Sequence, residues 1–164
     1  MSNTETEFYG IWNGHYVDSH LLRGGDVSKA GIDTLKRAGV SLVICLKNPK
    51  QDSVDDILDE QRWVLAAGMK WLHAPLDSQG ICSYRDGPSK TPAILAAILA
   101  EPKRVFVGCH KGSDRTGVIV AIYRITKGAT AAEALAEMKH YGASWIHFAM
   151  RQFVRNFSHQ QEGD

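Results

Sequence analysis

The stretch from Val105 to Ile125, VFVGCHKGSDRTGVIVAIYRI, constrains the fold more than any other. A β-branched apolar run closes at Gly108, a polar, glycine-bearing loop begins at Cys109, and a helix-compatible run begins at Arg115. A short apolar run of this kind reads as a buried strand, so the order is strand, loop, helix N-terminus. Backbone N–H groups of such a loop and of the first helical turn have no internal partners, and they converge on a point where an anion can sit. Cys109 stands at the foot of that loop. A thiol facing N–H donors and the positive end of a helix is expected to ionise more readily than a free cysteine, which does so near about 8.5. Arg115 adds a rigid fork of donors able to take two oxygens of one phosphate. Nucleophile and oxyanion clamp are therefore expected on one loop.

The remaining chain supplies a frame for that unit. Residues 1–8 read as a flexible polar start. His15–Leu22 reads as one or two short strands, and Arg23, Gly24 and Gly25 as a turn. Ser28 can cap a helix reaching about Ala38, where Gly39 stops it. Ser41–Leu46 is a continuous apolar run, the pattern of a strand covered on both faces, which makes Cys45 a core residue. After a loop over Asn48–Asp52, Ser53 opens a second helix running to about Ala67. Asp55, Asp56 and Asp59 complement the positive end of that helix and need no metal or basic partner to explain them.

Lys70–Leu76 returns as a strand, and Asp77 leads the loop DSQGICSYRDGPSK. Thr91 and Pro92 carry the cap and first-turn pattern of a helix over Ala93–Ala100 that is apolar nearly all round. Beyond the Arg115 helix, Thr130 and Glu133 form a capping box, and Gly142 ends that helix. Ser144 is placed to cap the last one, with Ile146, Ala149, Met150, Phe153 and Phe157 at helical spacing. Strands alternating with helices, then a helical tail, indicate an α/β fold: a central, mostly parallel sheet flanked by helices, with a C-terminal helical cluster. The Cys109 loop would lie at the carboxyl end of a central strand, where open α/β sheets place ligands. Residues 1–164 contain no repeat or linker and read as a single domain.

Composition narrows the function classes. A net charge of +1 gives no general basic field for nucleic acid. The three cysteines, Cys45, Cys82 and Cys109, are odd in number and far apart, which suits a reducing compartment better than a disulfide scaffold. The seven histidines show no metal-site spacing, so neither metal nor cofactor is expected. The start lacks a basic stretch followed by an apolar run, which makes the cytoplasm the expected location. Gly117–Tyr123 is too short an apolar stretch for membrane insertion, and a monomer is the default.

Cys109, Arg115 and Thr116, with Gly112 between and Gly117 after, match the Cys-x5-Arg-Thr/Ser phosphate loop of the protein tyrosine phosphatase superfamily. The chain most resembles compact bacterial dual-specificity-like phosphatases. The order of elements is similar from about Leu21 to Phe157, while the specific motifs are confined to Asp77 and to Cys109–Gly117. The resemblance implies a metal-independent phosphoester hydrolase in which Cys109 attacks phosphorus and forms a phosphocysteine. The backbone of His110, Lys111, Gly112, Ser113, Asp114 and Arg115, with the Arg115 guanidinium, would hold the phosphate, and Thr116 would ease departure of the sulfur. The general acid is read first as Asp77, in the APLD stretch, and second as Asp114, since some lipid-directed and multi-specificity members carry an aspartate in the loop's DRTG ending. Gly108 departs from the family pattern, which usually has His there.

Cys82, in the Asp77 loop, reads as a plain loop cysteine, with an oxidative link to Cys109 as the alternative. Substrates from phosphoproteins to inositol phosphates and lipids present the same group to such a loop. A phosphate-recognition module without turnover and a sulfur-transfer enzyme stand as the other readings, and the Arg-Thr-Gly ending fits phosphate better than sulfur transfer.

Overall fold

Three helices start where the sequence places a hydroxyl cap. In the computed structural model, which describes residues 7–80 and 82–163, Ser28 accepts the Gly31 N–H, Ser53 accepts the Asp56 N–H, and Thr130 and Glu133 close a reciprocal box. The strands are β1 (His15–Tyr16), β2 (Leu21–Gly24), β3 (Val40–Cys45), β4 (Lys70–His73) and β5 (Arg104–Gly108). The helices are α1 (Lys29–Arg37), α2 (Val54–Ala66), α3 (Asp86–Ala100), α4 (Asp114–Thr126), α5 (Ala131–His140) and α6 (Phe148–Glu162).

The sheet order is β1-β2-β5-β3-β4, with β1 antiparallel to β2 and every other pairing parallel. This is the α/β architecture expected from the sequence. β5 lies at the centre, Gly108 in register with Gly24 on one side and Cys45 on the other. Alternation along β5 divides the core. Val105 and Val107 join Leu21, Ile44, Ile119 and Ile122 on one face, while Phe106 joins Leu22, Ile32, Leu35 and Val43 on the opposite face. α4 is buried along almost its whole length because a third cluster, built from Met138, Met150 and Val154 of α5 and α6, covers the side turned away from the sheet.

Four readings of the sequence are corrected. Arg23 and Gly24 belong to β2 rather than to a turn. β4 stops at His73, before Pro75, which has no N–H to give a ladder. α3 begins at Asp86 and takes Pro92 inside it; the buried Thr91 hydroxyl turns back to the Gly87 carbonyl instead of capping. Its buried residues, Gly87, Thr91, Ile94 and Ile98, form one face, with Leu99 exposed on another. α6 begins at Phe148, and Ser144 gives its N–H to Asp114 rather than capping a helix. Of the expected flexible start, residues 1–6 lie outside the described ones, and Phe8 packs into the core. Among the described residues, no helix is long and apolar enough to cross a membrane.

Ile44 is fully buried in the middle of β3, whereas Leu58 on α2 is exposed. Ile44→Ala should cost about 2–5 kcal/mol in urea unfolding through lost burial and the cavity left behind. Leu58→Ala should stay within about 0.5 kcal/mol of wild type.

Candidate active site

β5 delivers the chain to Cys109, and the loop over residues 109–113 hands it to α4 at Asp114. Gly112 makes the turn with φ +73°, and a Cβ there would come within 2.6 Å of the Gly24 carbonyl carbon, so only glycine fits without strain. The Cys109 sulfur is buried and accepts two hydrogen bonds, from the Gly112 N–H at 3.3 Å and from the Thr116 hydroxyl at 3.1 Å. The Gly24 carbonyl, 3.2 Å from the same hydroxyl, competes for its single proton. At Gly108, a Cβ would meet the edge of the Phe106 ring at 2.7 Å. A histidine at this position would require that ring to move, which ties the departure from the usual family pattern to the way this core is filled.

The loop is braced from behind by residues the sequence reading missed. Fully buried Arg23 donates through Nη2 to the Gly112 carbonyl at 3.1 Å, lies 4.2 Å over the Tyr141 ring, and sits 3.8 Å from Glu137. Burial lowers its pKa to about 10, a value at which it is still a cation at neutral pH. Asn13, itself at φ 49°, donates its side-chain amide to the carbonyls of Lys111, Gly112 and Tyr141. The Asp26 N–H donates to the His110 carbonyl at 2.9 Å, and the Asp26 carboxylate holds the His110 ring at 2.6 Å. Asp26 in turn meets Lys47 at 3.2 Å, and Lys47 meets buried Glu60 at 2.5 Å, so charge behind the loop is paired. Neither a cap nor a periodicity marks Arg23, Asn13 or Lys47; only the tertiary fold brings them to the loop.

Arg115 lines the cleft with its guanidinium held on a carboxylate. Its two terminal nitrogens grip Asp52 at 2.6 and 3.1 Å, with side chains only 6% and 7% exposed. Burial pushes the Asp52 carboxyl up, but hydrogen bonds from Arg115 and from the Asn48 N–H outweigh it and hold its pKa below the ordinary value. The same pairing raises the pKa of Arg115 against the effect of its own burial.

The two candidate acids are placed differently. Asp114 lines the cleft with Cys109 and Arg115; its Oδ1 accepts the Ser144 N–H at 2.8 Å, and its Oδ2 lies 3.7 Å from His147 Nε2. His147 Nδ1 accepts the Gly80 N–H at 3.2 Å, which leaves the proton of a neutral ring on the nitrogen facing Asp114. Asp77 lies on the neighbouring loop, its Oδ1 taken by Gln51 at 2.7 Å and by the Gln79 N–H at 2.8 Å. Burial pushes Asp77 up, but these hydrogen bonds outweigh it and keep its pKa below the ordinary value.

The cleft has a volume of about 330 Å³ and is completed by Gln51, Asp52, Ser78, Gln79, His110, Lys111 and His147. Gly112, Ser113 and Thr116 are buried beneath it. A larger hollow of about 520 Å³, beside Trp12 and Trp63, is lined by no cysteine among the described residues. Cys82 is exposed and does not line the cleft, while burial pushes the Cys45 thiol up to about 12, as suits an inert core residue.

A family model described as a DSP-PTPase phosphatase fused to NAD+ kinase matches residues 6–156. Against curated protein sequences the chain has no significant match. Among solved structures, a DUF442 protein of Shewanella putrefaciens CN-32, named for a phosphatase, shares 23% identity and a TM-score of 0.75 over 95% of this chain and 97% of that one. TpbA of P. aeruginosa, as a variant in complex with phosphotyrosine, shares 20% identity and a TM-score of 0.71 over 93% and 91% of the two chains. The core catalytic domain of the PP-IP phosphatase SIW14 of S. cerevisiae shares 13% identity and a TM-score of 0.70 over 87% and 83%. At these identities the likeness is one of fold.

Replacing Asp52 by Asn should cost about 3 kcal/mol at neutral pH, since it leaves a buried guanidinium without its counter-charge. Because pairing lowers the Asp52 pKa, its contribution is present above the unfolded-chain value of about 3.9 and is lost as pH falls through the lower folded-state value. Denaturation of wild type and variant across pH should therefore show a gap that closes on the acid side.

Proposed function

Since the chain belongs to the family of dual-specificity-type phosphatases described as fused to NAD+ kinase, we propose that it hydrolyses phosphate monoesters through a phosphocysteine on Cys109 without a metal. One observation carries this reading: Cys109, whose sulfur accepts two hydrogen bonds from buried neighbours, lines one small cleft together with Arg115. In the first step the thiolate attacks phosphorus, the S–P bond forms and the ester P–O bond breaks. Loop N–H groups and Arg115 hold the non-bridging oxygens, where preorganised donors stabilise developing charge.

The leaving oxygen needs a proton, and Asp114 is the proposed donor. Each carboxylate accepts a backbone N–H, Asp114 from Ser144 and Asp77 from Gln79, but Asp114 lines the cleft beside the nucleophile, whereas Asp77 does not line it and is held toward its ionised form. Asp77, ranked first from sequence, is then a bracing residue of the neighbouring loop. In the second step the Asp114 carboxylate takes a proton from water, hydroxide adds to phosphorus, and the S–P bond breaks. Hydrogen bonds from Thr116 and Gly112 stabilise the departing thiolate. Inorganic phosphate and free enzyme are regenerated, with the proton back on Asp114.

Turnover of p-nitrophenyl phosphate in EDTA should be abolished by Cys109→Ser. Asp114→Asn should lower kcat for phosphate esters with poor leaving groups about 100-fold or more, while Asp77→Asn should have a much smaller effect. The reverse order would return the acid role to Asp77, and wild-type protein that binds phosphate without hydrolysing any ester would mark a recognition module. NADP+ belongs among the esters tried, given the kinase in the family's description.

A further inference from the structure

We propose that the cleft selects phosphate monoesters carried on a polyhydroxylated group, of sugar or polyol type, over aryl phosphates, and that Gln79 and Ser78 are the residues that read the carrier. This deepens the phosphatase reading and rests on it. The cleft's volume of about 330 Å³ lies at the small end of ligand pockets, which run from roughly 300 to 1,000 Å³. Small-molecule pockets usually have walls dominated by apolar and aromatic side chains around a few polar groups. Here, among the described residues, every lining side chain carries a polar group, including those farthest in sequence from the phosphate loop.

That no described apolar side chain lines the cleft is not a shortage of such residues nearby in the chain. Trp145, Ile146 and Phe148 immediately surround His147 in sequence and are 78%, 42% and 57% exposed, yet only His147 lines the cleft. An aryl ring seated here would strip water from amides and a hydroxyl and give them no hydrogen bond in return.

Three groups stand opposite the phosphate loop. The Gln51 amide is already oriented, donating to Asp77 at 2.7 Å and accepting the Ser78 N–H at 2.9 Å. It fixes the 77–79 segment and retains one N–H. Among the described residues, the Gln79 side-chain amide and the Ser78 hydroxyl have no hydrogen-bond partner, and both line the cleft. A primary amide offers two donors and a carbonyl acceptor, and a hydroxyl both donates and accepts, so the pair can satisfy the same dual capacity in a substrate's hydroxyl groups. Sites built to hydrogen-bond a substrate hydroxyl discriminate strongly against analogues that lack it.

The test compares kcat/KM for glucose 6-phosphate and myo-inositol 1-phosphate with that for phosphotyrosine. At least one of the two carriers should exceed phosphotyrosine about tenfold despite its poorer leaving group, and Gln79→Leu should reduce that ratio about tenfold, with Ser78→Ala moving it the same way. Phosphotyrosine equal to or better than both carriers, or a ratio unchanged in Gln79→Leu, would overturn the proposal while leaving the phosphatase reading intact. If no ester turns over, the phosphatase reading falls. Calorimetric binding of glucose 6-phosphate, myo-inositol 1-phosphate and phosphotyrosine to Cys109→Ser then decides the preference separately, tighter binding of phosphotyrosine than of both carriers overturning it.

Discussion

The outward anchoring of three successive carbonyls is the constraint on which the site depends. In a trans peptide the C=O and the following N–H point in opposite directions. The carbonyls of His110, Lys111 and Gly112 are held by the Asp26 N–H, by Asn13 and by Arg23. The N–H groups of Lys111, Gly112 and Ser113 are thereby turned to the other side, toward the hollow of the loop. The Gly112 N–H already reaches the Cys109 sulfur. The orientation of the loop's N–H groups is therefore a property of the residues behind it as much as of the loop sequence.

That bracing explains why charge is buried here. A guanidinium with no solvent exposure is costly, and Arg23 Nε and Nη1 have no hydrogen-bond partner among the described residues. Its compensation is the Gly112 carbonyl, the face of Tyr141 and the nearby Glu137. The same logic links His110 through Asp26 and Lys47 to Glu60: an exposed loop ring is held by a chain of charges that ends in the core. At the front, Asp52 holds the Arg115 guanidinium, and Gln51, its neighbour, ties down Asp77 and Ser78, so one short segment organises both Arg115 and the opposite rim.

What was legible in the sequence was what short-range chemistry dictates. The caps at Ser28, Ser53 and Thr130 close hydrogen bonds three residues on, and the β5-loop-α4 unit is contiguous, so patterns reveal them. Arg23, Asp52 and His147 were missed for the opposite reason. Arg23 meets Gly112 across 89 residues and Arg115 meets Asp52 across 63, contacts that exist only once parallel strands are in register. The helix starts at Asp86 and Phe148 went unseen because Thr91 and Ser144 carry plausible cap chemistry that the fold spends elsewhere, on Gly87 and Asp114.

The central claim is that Cys109 is the atom to which phosphorus is transferred. Its most direct measurement is acid-quenched single turnover of a phosphate monoester followed by peptide mass spectrometry, using Thr116→Ala to slow departure of the sulfur. The account predicts a transient phosphoryl adduct on the Cys109 peptide that forms and decays at rates matching product release and phosphate release. Full turnover with no adduct on Cys109 at any time point, or undiminished turnover by Cys109→Ser, would contradict it.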